Sequence, residues 1–343
     1  MNNEKHLVSV VVICRNEEKF IARCLDSIIG NDYPKDRMEV LVVDGMSDDQ
    51  TRAIVNKYQK RLPFVHLLDN PRKFTPFAMN IGAQNANGDY IIFVGSHCTY
   101  GKYYLSNSVR AADQSGADNV GGIWKIIPQG ASFINQAIVA VSSSLLGAGN
   151  AYYRRGQAGG PREVDTVFGG CYKKEVFKKI GWFNERLARS QDMEFNMRLK
   201  KAGGKIMMFP DIICYYYPKS NFKDFFIHNF WDGVWAIWPL KIMKAPLKLR
   251  HYLPLLFILS FFGSGAFSFF WLPFLFLLFF ELGLYFATNI YFSVKILPGK
   301  KEWRLLFILP IVFAARHFGY GLGSVFGLTK LISRNDNAFG KKF

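Results

Sequence analysis

The most chemically suggestive stretch of this 343-residue chain is VVDGMSDDQT, positions 42–51. It reads as a strand running into a short acidic loop and then a helix. A carboxylate at the end of such a strand can accept hydrogen bonds from a ribose or a nucleobase N–H, and the Ser and Thr beyond it cap the next helix. Asp44 is that carboxylate, with Ser47 behind it; taken alone, Asp44, Ser47 and Asp49 are equally well turn and cap residues. Cys14, Arg15, Asn16 and Glu17 follow an earlier apolar run in the same manner, and Glu17 also suits a helix first turn. The five cysteines, Cys14, Cys24, Cys98, Cys171 and Cys214, include no CxxC pair and are odd in number. That excludes a disulfide framework or zinc site as a first reading and favours reduced cytosolic thiols.

The elements that must position these residues are legible over the first 120 positions. LVSVVVIC (7–14), MEVLVVD (38–44), FVHLLD (64–69) and YIIFVG (90–95) read as strands. Between them, Glu17–Ile29, Asp49–Tyr58 and Thr75–Ala86 have helical spacing. Such alternation predicts an open, mostly parallel sheet with helices on both faces, and ligands then collect beyond the carboxyl ends of the strands. Further on, 147–161 is a loop by composition. Residues 164–183 read as strand, turn and short helix, and 191–204 as a helix ended by glycines. The aromatic run 220–239 is read as an amphipathic helix lying at a membrane interface.

Composition bounds the class. Hydrophobic residues make up 50% of the chain, and 33 Phe, 16 Tyr and 7 Trp exclude disorder. The net charge of +17 does not indicate a nucleic-acid binder, because 13 Lys/Arg against 3 Asp/Glu fall in residues 241–343, around long apolar runs. Basic flanks to apolar spans point to the cytoplasmic face of a membrane. MNNEKH runs directly into the first strand, so the soluble part is expected in the cytosol. The expected organisation is a cytosolic domain over 1–240 and a basic linker over 241–251. A transmembrane hairpin over 252–294, turning near Trp271–Pro273, is followed by a basic loop over 295–304. A third membrane segment, spanning or re-entrant, covers 305–328, with a basic tail over 329–343. Arg316 and His317 lie mid-way along that third segment, where charge is expensive unless protein or water covers it.

Five ordered strings resemble family-2 glycosyltransferases of the GT-A fold, across about 200 residues. They are VVVICRNEEKFIARCLDSI (10–28), VVDGMSDDQT, NIGAQNANGDYIIFVGSH (80–97), FGGCYKKEVFKKIGWFNERL (168–187) and QDMEFNMRLKKAGGKI (191–206). The C-terminal apolar segments and His97 are similar to the succinoglycan-type exopolysaccharide subgroup. The resemblance implies a GT-A, Rossmann-like mixed sheet followed by a transmembrane helical region. It implies an inverting enzyme of cell-surface polysaccharide biosynthesis, moving one sugar at a time from a nucleotide-sugar, a UDP-sugar by preference, to a lipid-linked or membrane-proximal glycan. It places Cys14, Arg15, Glu17, Asp44, Ser47, Asn80 and Ser96 at the donor nucleotide. Asp192 becomes the general base; Asp165, Gly169, Gly170, Glu194 and Trp231 line the acceptor side, with Arg198 pairing a carboxylate. The family's metal motif is altered: Gly95 stands where its first Asp is expected, leaving His97 as ligand for Mn2+ or Mg2+ and putting metal use in question. Without a metal, charge neutralisation falls to Arg154 or Arg155. No Gln-x-x-Arg-Trp string of the processive members is present. Gly95 also supports a second reading, a non-catalytic scaffold of a polysaccharide assembly complex, located like the enzyme in the cell membrane.

Overall fold

The computed structural model describes residues 6–149, 151–155, 159–242, 249–297 and 302–332. In chain order the elements are β1 (Val8–Cys14), α1 (Ile21–Ile29), β2 (Met38–Asp44), α2 (Thr51–Arg61), β3 (Val65–Asp69), α3 (Thr75–Asn85) and β4 (Tyr90–Gly95). Then come β5 (Cys98–Tyr100), α4 (Tyr104–Ser115), β6 (Asn119–Ile126), α5 (Phe133–Ser143), α6 (Leu145–Ala148), α7 (Tyr152–Arg155), β7 (Arg162–Glu163) and β8 (Cys171–Lys173). The rest are α8 (Glu175–Ile180), α9 (Gln191–Lys201), β9 (Ile206–Tyr216), α10 (Phe222–Ile242), α11 (Leu253–Phe267), α12 (Leu272–Ile296) and α13 (Leu305–Ile332). Two compact units result: Met1–Lys125 with Tyr152–Tyr216, and Ile126–Ala151 with Tyr217–Phe343. The division differs from the expected boundary at residue 240, because α5 and α6 share a core with the C-terminal helices: Ala137, Ile138 and Val141 lie with Leu309, Val312 and Phe313.

The first unit is a mixed sheet in the order β3-β2-β1-β4-β8-β6-β9-β5, with β7 on β9. β3, β2, β1 and β4 are parallel. β8 runs antiparallel to both β4 and β6, and β9 antiparallel to both β5 and β7. β1 is valine-rich and buried on both faces, as a central parallel strand requires. Its register sets Cys14 opposite Asp44, and Asp44 opposite Asp69, while Ile13 faces Gly95. The polar strings found in the sequence therefore share one edge of the sheet. α1 and α2 each start later than predicted, at Ile21 and Thr51, because the preceding residues form loops bonded to one another, described below.

In the second unit α10 lies along α13. Val234, Trp235, Ala236, Ile237 and Trp238 are all buried. Five consecutive buried positions cover every side of a helix, so this stretch of α10 is packed all round, whereas Phe222 and Ile227 nearer its start are exposed. Gly319, Gly323 and Gly327 on α13 meet the backbone of α10 at Phe226, Phe230 and Val234. α12 and α13, of 25 and 28 residues, are long and apolar enough to cross a membrane. The first arm of the predicted hairpin, α11, has only 15 residues, about 22 Å against a hydrocarbon core of about 30 Å. The third segment is one continuous helix. Its polar residues are satisfied by protein: Arg316 donates to Asn229 Oδ1 (3.2 Å), and His317 contacts the Tyr285 hydroxyl (3.0 Å) and the Leu146 carbonyl (3.1 Å). Glu281 accepts from the hydroxyls of Ser260 and Ser264. The lysines and arginines of the predicted basic linker, loop and tail at 244, 248, 300, 301, 334, 341 and 342 lie outside the described residues.

Candidate active site

The loops after β1 and β2 are tied together. Three successive N–H groups of the first donate to side chains of the second: Asn16 to Ser47 Oγ (2.8 Å), Glu17 to Thr51 Oγ1 (2.7 Å) and Glu18 to Asp49 Oδ2 (3.1 Å). In return, Asp48 N–H donates to Asn16 Oδ1 and Gln50 N–H to Glu18 Oε2, both at 3.1 Å. Short polar side chains divert backbone from helix into such bonds, which is why both predicted helices start late. Asn16, Met46 and Lys73 hold φ of 55°, 55° and 67°, one after each of β1, β2 and β3, and Ser190 holds 62° just before α9. Non-glycine residues in this left-handed region carry strain and gather at functional sites.

Asp44 is fully buried. Its oxygens accept the Ser47 N–H (2.9 Å), the Ser47 hydroxyl, the Cys14 thiol (3.7 Å) and Arg52 Nη1 (2.8 Å). A carboxylate offers about four lone-pair sites, and all are taken. Within the chain, Asp44 thus organises the loop in which a ribose or base contact is expected. Burial, reinforced by Asp44, pushes the Cys14 thiol pKa up, so Cys14 stands behind Asp44 as a protonated donor. Arg52 continues to Asp69 Oδ1 at 2.7 Å, bridging the ends of β2 and β3. Arg52→Met strands the buried carboxylate. Because the guanidinium is 31% exposed, the expected loss is about 2 kcal/mol, below the roughly 3–5 kcal/mol of a broken fully buried pair. Thermal melts check it, with Asp69→Asn, at the exposed end of the bridge, changing the melt little.

β4 brings Gly95, Ser96 and His97 to the same edge. The Gly95 N–H donates to the Tyr100 hydroxyl at 2.8 Å. Ser96 is buried. His97 turns outward, with Nδ1 3.5 Å from Glu17 Oε1 and its ring edge-on to Tyr216. A Cβ at Gly95 would sit 3.7–4.0 Å from Phe168, Cys98 and His97, an ordinary contact, so space does not explain the missing carboxylate. Among the described residues no group of three His, Cys, Asp or Glu side chains is placed to hold a metal. Glu17 and His97 are nonetheless a carboxylate and an imidazole side by side. That pair fits a hard ion that keeps several waters and is completed by phosphate oxygens of a bound donor.

The second cluster is built on β6, α7, α9 and β9. Asp192 opens α9, and desolvation raises its carboxyl pKa, opposed by backbone N–H groups and by the charge of Arg154. Arg154 lies 5.2 Å from the centroid of Trp124, with its Nε 3.2 Å from the Tyr153 hydroxyl. Trp124 stacks on Tyr216 at 4.2 Å and 9°, and Tyr216 is the residue that meets His97. One turn after Asp192, buried Asn196 accepts from Asn119 (2.9 Å) and Tyr172 (3.1 Å) and donates to Thr166 (2.9 Å), which fixes the helix.

Other predicted site residues bond within the chain. Glu194 is buried and held by both Arg198 Nε (2.7 Å) and Nη2 (2.9 Å), so the predicted carboxylate partner of Arg198 is Glu194 itself. Asn80 joins α3 to the 183–185 segment, donating to the Phe183 carbonyl (3.0 Å) and Glu185 (2.9 Å) and accepting the Phe183 N–H (2.9 Å). These bonds tie the helix to that segment. Gly169 and Gly170 have φ of 73° and 55°. A Cβ there would meet the Phe93 carbonyl at 2.7 Å and the Tyr172 ring at 2.5 Å, so the close approach they allow is to the protein's own β4 and β8. Asp165 is 3.6 Å from Lys200. Trp231 sits on α10, in the other unit.

The sequence profile described as Glycosyl transferase family 2 matches residues 9–181, half of the chain. This protein belongs to glycosyl transferase family 2. A Methanococcus voltae relative, the dolichyl N-acetyl-alpha-D-glucosaminyl phosphate 3-beta-D-2,3-diacetamido-2,3-dideoxy-beta-D-glucuronosyltransferase, is 31% identical over 228 residues, covering 64% of this chain and 70% of the relative. Succinoglycan biosynthesis protein ExoA of Rhizobium meliloti (strain 1021) is 29% identical over 248 residues, 72% of this chain and 74% of ExoA. Among solved structures, the mannosyltransferase PcManGT from Pyrobaculum calidifontis, in complex with GDP-Man and Mn2+, aligns with a TM-score of 0.58 at 19% identity, covering 96% of this chain and 88% of that one. The likeness is one of fold, and the fold is GT-A. The family and fold expected from the five strings are both upheld, and the chain is a glycosyltransferase.

Within this family-2 enzyme, Cys14, Arg15, Glu17, Asp44, Ser47, Ser96 and His97 come together at one sheet edge, and Asp192 feels the charge of Arg154, which packs on Trp124 in the aromatic cluster that reaches His97 through Tyr216. Sequence reasoning missed Arg52 and Trp124. Arg52 carried a signal, since a cation in a helix first turn opposes the dipole and needs a local anion. Trp124, inside a buried strand, carried none.

Proposed function

We propose that this glycosyltransferase is inverting and moves one sugar at a time from a nucleotide-sugar to a lipid-linked or membrane-proximal glycan, in cell-surface polysaccharide biosynthesis. The observation that carries the reading is Asp192, a carboxyl with a raised pKa in the cluster that joins Arg154, Trp124 and Tyr216 to His97. A raised pKa suits a general base near neutral pH. Asp192 takes the proton of the acceptor hydroxyl as its oxygen bonds the anomeric carbon. The bond from that carbon to the diphosphate breaks on the opposite face, and the nucleoside diphosphate leaves. Arg15 and the Glu17–His97 pair lie where the diphosphate is expected. Glu17 and His97 would hold a divalent cation, which when bound neutralises charge developing on the leaving group.

The lipid-linked acceptor is supported by the name of the Methanococcus voltae relative, whose acceptor is a dolichyl sugar phosphate, and by the two long apolar helices. A multi-pass position in the cell membrane with the catalytic unit cytosolic follows from the basic flanks. The test is calorimetric titration of detergent-purified protein with UDP and GDP, each with Mn2+, Mg2+ and EDTA. We expect one nucleotide to bind, tighter with metal. Binding indifferent to EDTA would assign charge neutralisation to arginines, and no binding of either would favour a scaffold.

A further inference from the structure

We propose that the indole N–H of Trp124 is a hydrogen-bond donor to the transferred sugar, and that Gln191 supplies the matching acceptor. This rests on the glycosyl-transfer reading above and extends it to the recognition of the sugar itself.

Trp124 is 6% exposed, and its Nε1 is buried without a hydrogen-bond partner among the described residues. Leaving a buried donor unpaired costs about 1–3 kcal/mol, so an orphan of this kind calls for something absent from the chain to bond it. The ring is not free to turn away. Tyr216 stacks on it in parallel, Phe168 and Tyr153 stand nearly perpendicular to it at 4.5 and 5.0 Å, and the Arg154 guanidinium lies 5.2 Å from its centroid. With an aromatic plane and a cation already against the indole, the N–H is what remains for a ligand.

Its position says which ligand. On one side Tyr216 leads to His97 and Glu17, where the diphosphate departs. On the other Arg154 acts on the Asp192 carboxyl, where the acceptor loses its proton. The group that lies between a leaving diphosphate and the base is the sugar in transit. A second orphan adjoins the base. Gln191 precedes Asp192, and among the described residues its Oε1 is buried and unpartnered, while its amide nitrogen reaches the Met79 sulfur at 3.6 Å. A hexose offers both complements: an oxygen to accept from Trp124 and a hydroxyl to donate to Gln191.

Trp124→Phe removes the N–H and keeps an aromatic ring. Titrations of full-length wild type and variant use UDP, UDP-glucose and UDP-GlcNAc, or GDP and GDP-mannose if GDP is the nucleotide bound. The preference for nucleotide-sugar over bare nucleotide should fall about tenfold in the variant, as loss of one hydrogen bond predicts, with the affinity for bare nucleotide unchanged. That unchanged affinity also reports correct folding. Gln191→Ala should reduce the same preference. In wild type with 15N-labelled tryptophan, one indole N–H resonance should move on addition of nucleotide-sugar and stay in place with UDP or GDP. An unaltered preference in Trp124→Phe, or indole resonances that respond equally to nucleotide and nucleotide-sugar, overturns the proposal. A wild type that takes up nucleotide but gains nothing from the sugar also overturns it, leaving the transfer reading standing. A wild type that binds neither removes both.

Discussion

Asp192→Asn should lower glycosyl transfer by about 10²- to 10⁴-fold, the range for a lost general base, while nucleotide binding survives and the melting temperature rises. The rise follows from the direction of the pKa. Desolvation lifts the folded-state value above the ordinary 3.8, so the native state prefers the acid, and the ionised form is held at a cost in stability. The stabilising effect of protonation is full below 3.8 and is lost as pH rises through the raised value. Asn carries no charge to desolvate. The gap between the melts of variant and wild type should therefore open with pH across that interval and stay open above it. The acid limb of kcat/KM, read from UDP or GDP release, should lie above the ordinary carboxylate range for the same reason. An active Asp192→Asn enzyme sinks the assignment; an unaltered melt leaves the base but removes the argument from burial.

The second large effect is structural. Gly323→Val should destabilise the helical unit by about 3 kcal/mol or more, the upper range for overpacking. A Cβ at Gly323 would lie 1.9 Å from the Phe230 carbonyl, and one at Gly233 would lie 1.9 Å from the Tyr320 carbonyl. At that level α10 and α13 touch backbone to backbone, and no rotamer relieves a clash with a carbonyl. Spacing of four keeps Gly319, Gly323 and Gly327 on one face of α13, the small-residue packing used between helices in membranes. Gly283 on α12 has nothing within 4 Å of its Cβ position. Gly283→Val should therefore melt with wild type, and the contrast between the two valines in one detergent is the measurement. Equal melts would mean the helices are not held by this contact.

Much of the first unit was legible because its strands are buried on both faces and its helices on one, so hydrophobic period and position agreed. β2 and β4 appear where the sequence placed them, and β1 and β3 each one residue later. The antiparallel half was harder: β8 and β5 have three residues each, too few for any period. The division into units was not legible, since α5 has the composition of a core helix and nothing local says which core it joins. The site was legible as far as motif position went. Asp44 sits at its strand end as predicted, but a sequence does not show that an arginine eight residues on will bond it. The partners of Asn80 and Glu194 within the chain were hidden for the same reason. Each is a polar residue in a matching string whose partner is set by tertiary approach.

The boundaries of the two units carry a mechanical consequence. The chain passes from one to the other between Lys125 and Ile126, between Ala151 and Tyr152, and between Tyr216 and Tyr217. Each junction lies within two residues of Trp124, Tyr153 or Tyr216, the indole and two of the rings packed against it. The helical unit is thus joined to the sheet unit by three covalent connections, each beginning beside this aromatic cluster. A pull on the helices is passed by covalent bonds to the residues that hold these rings in place.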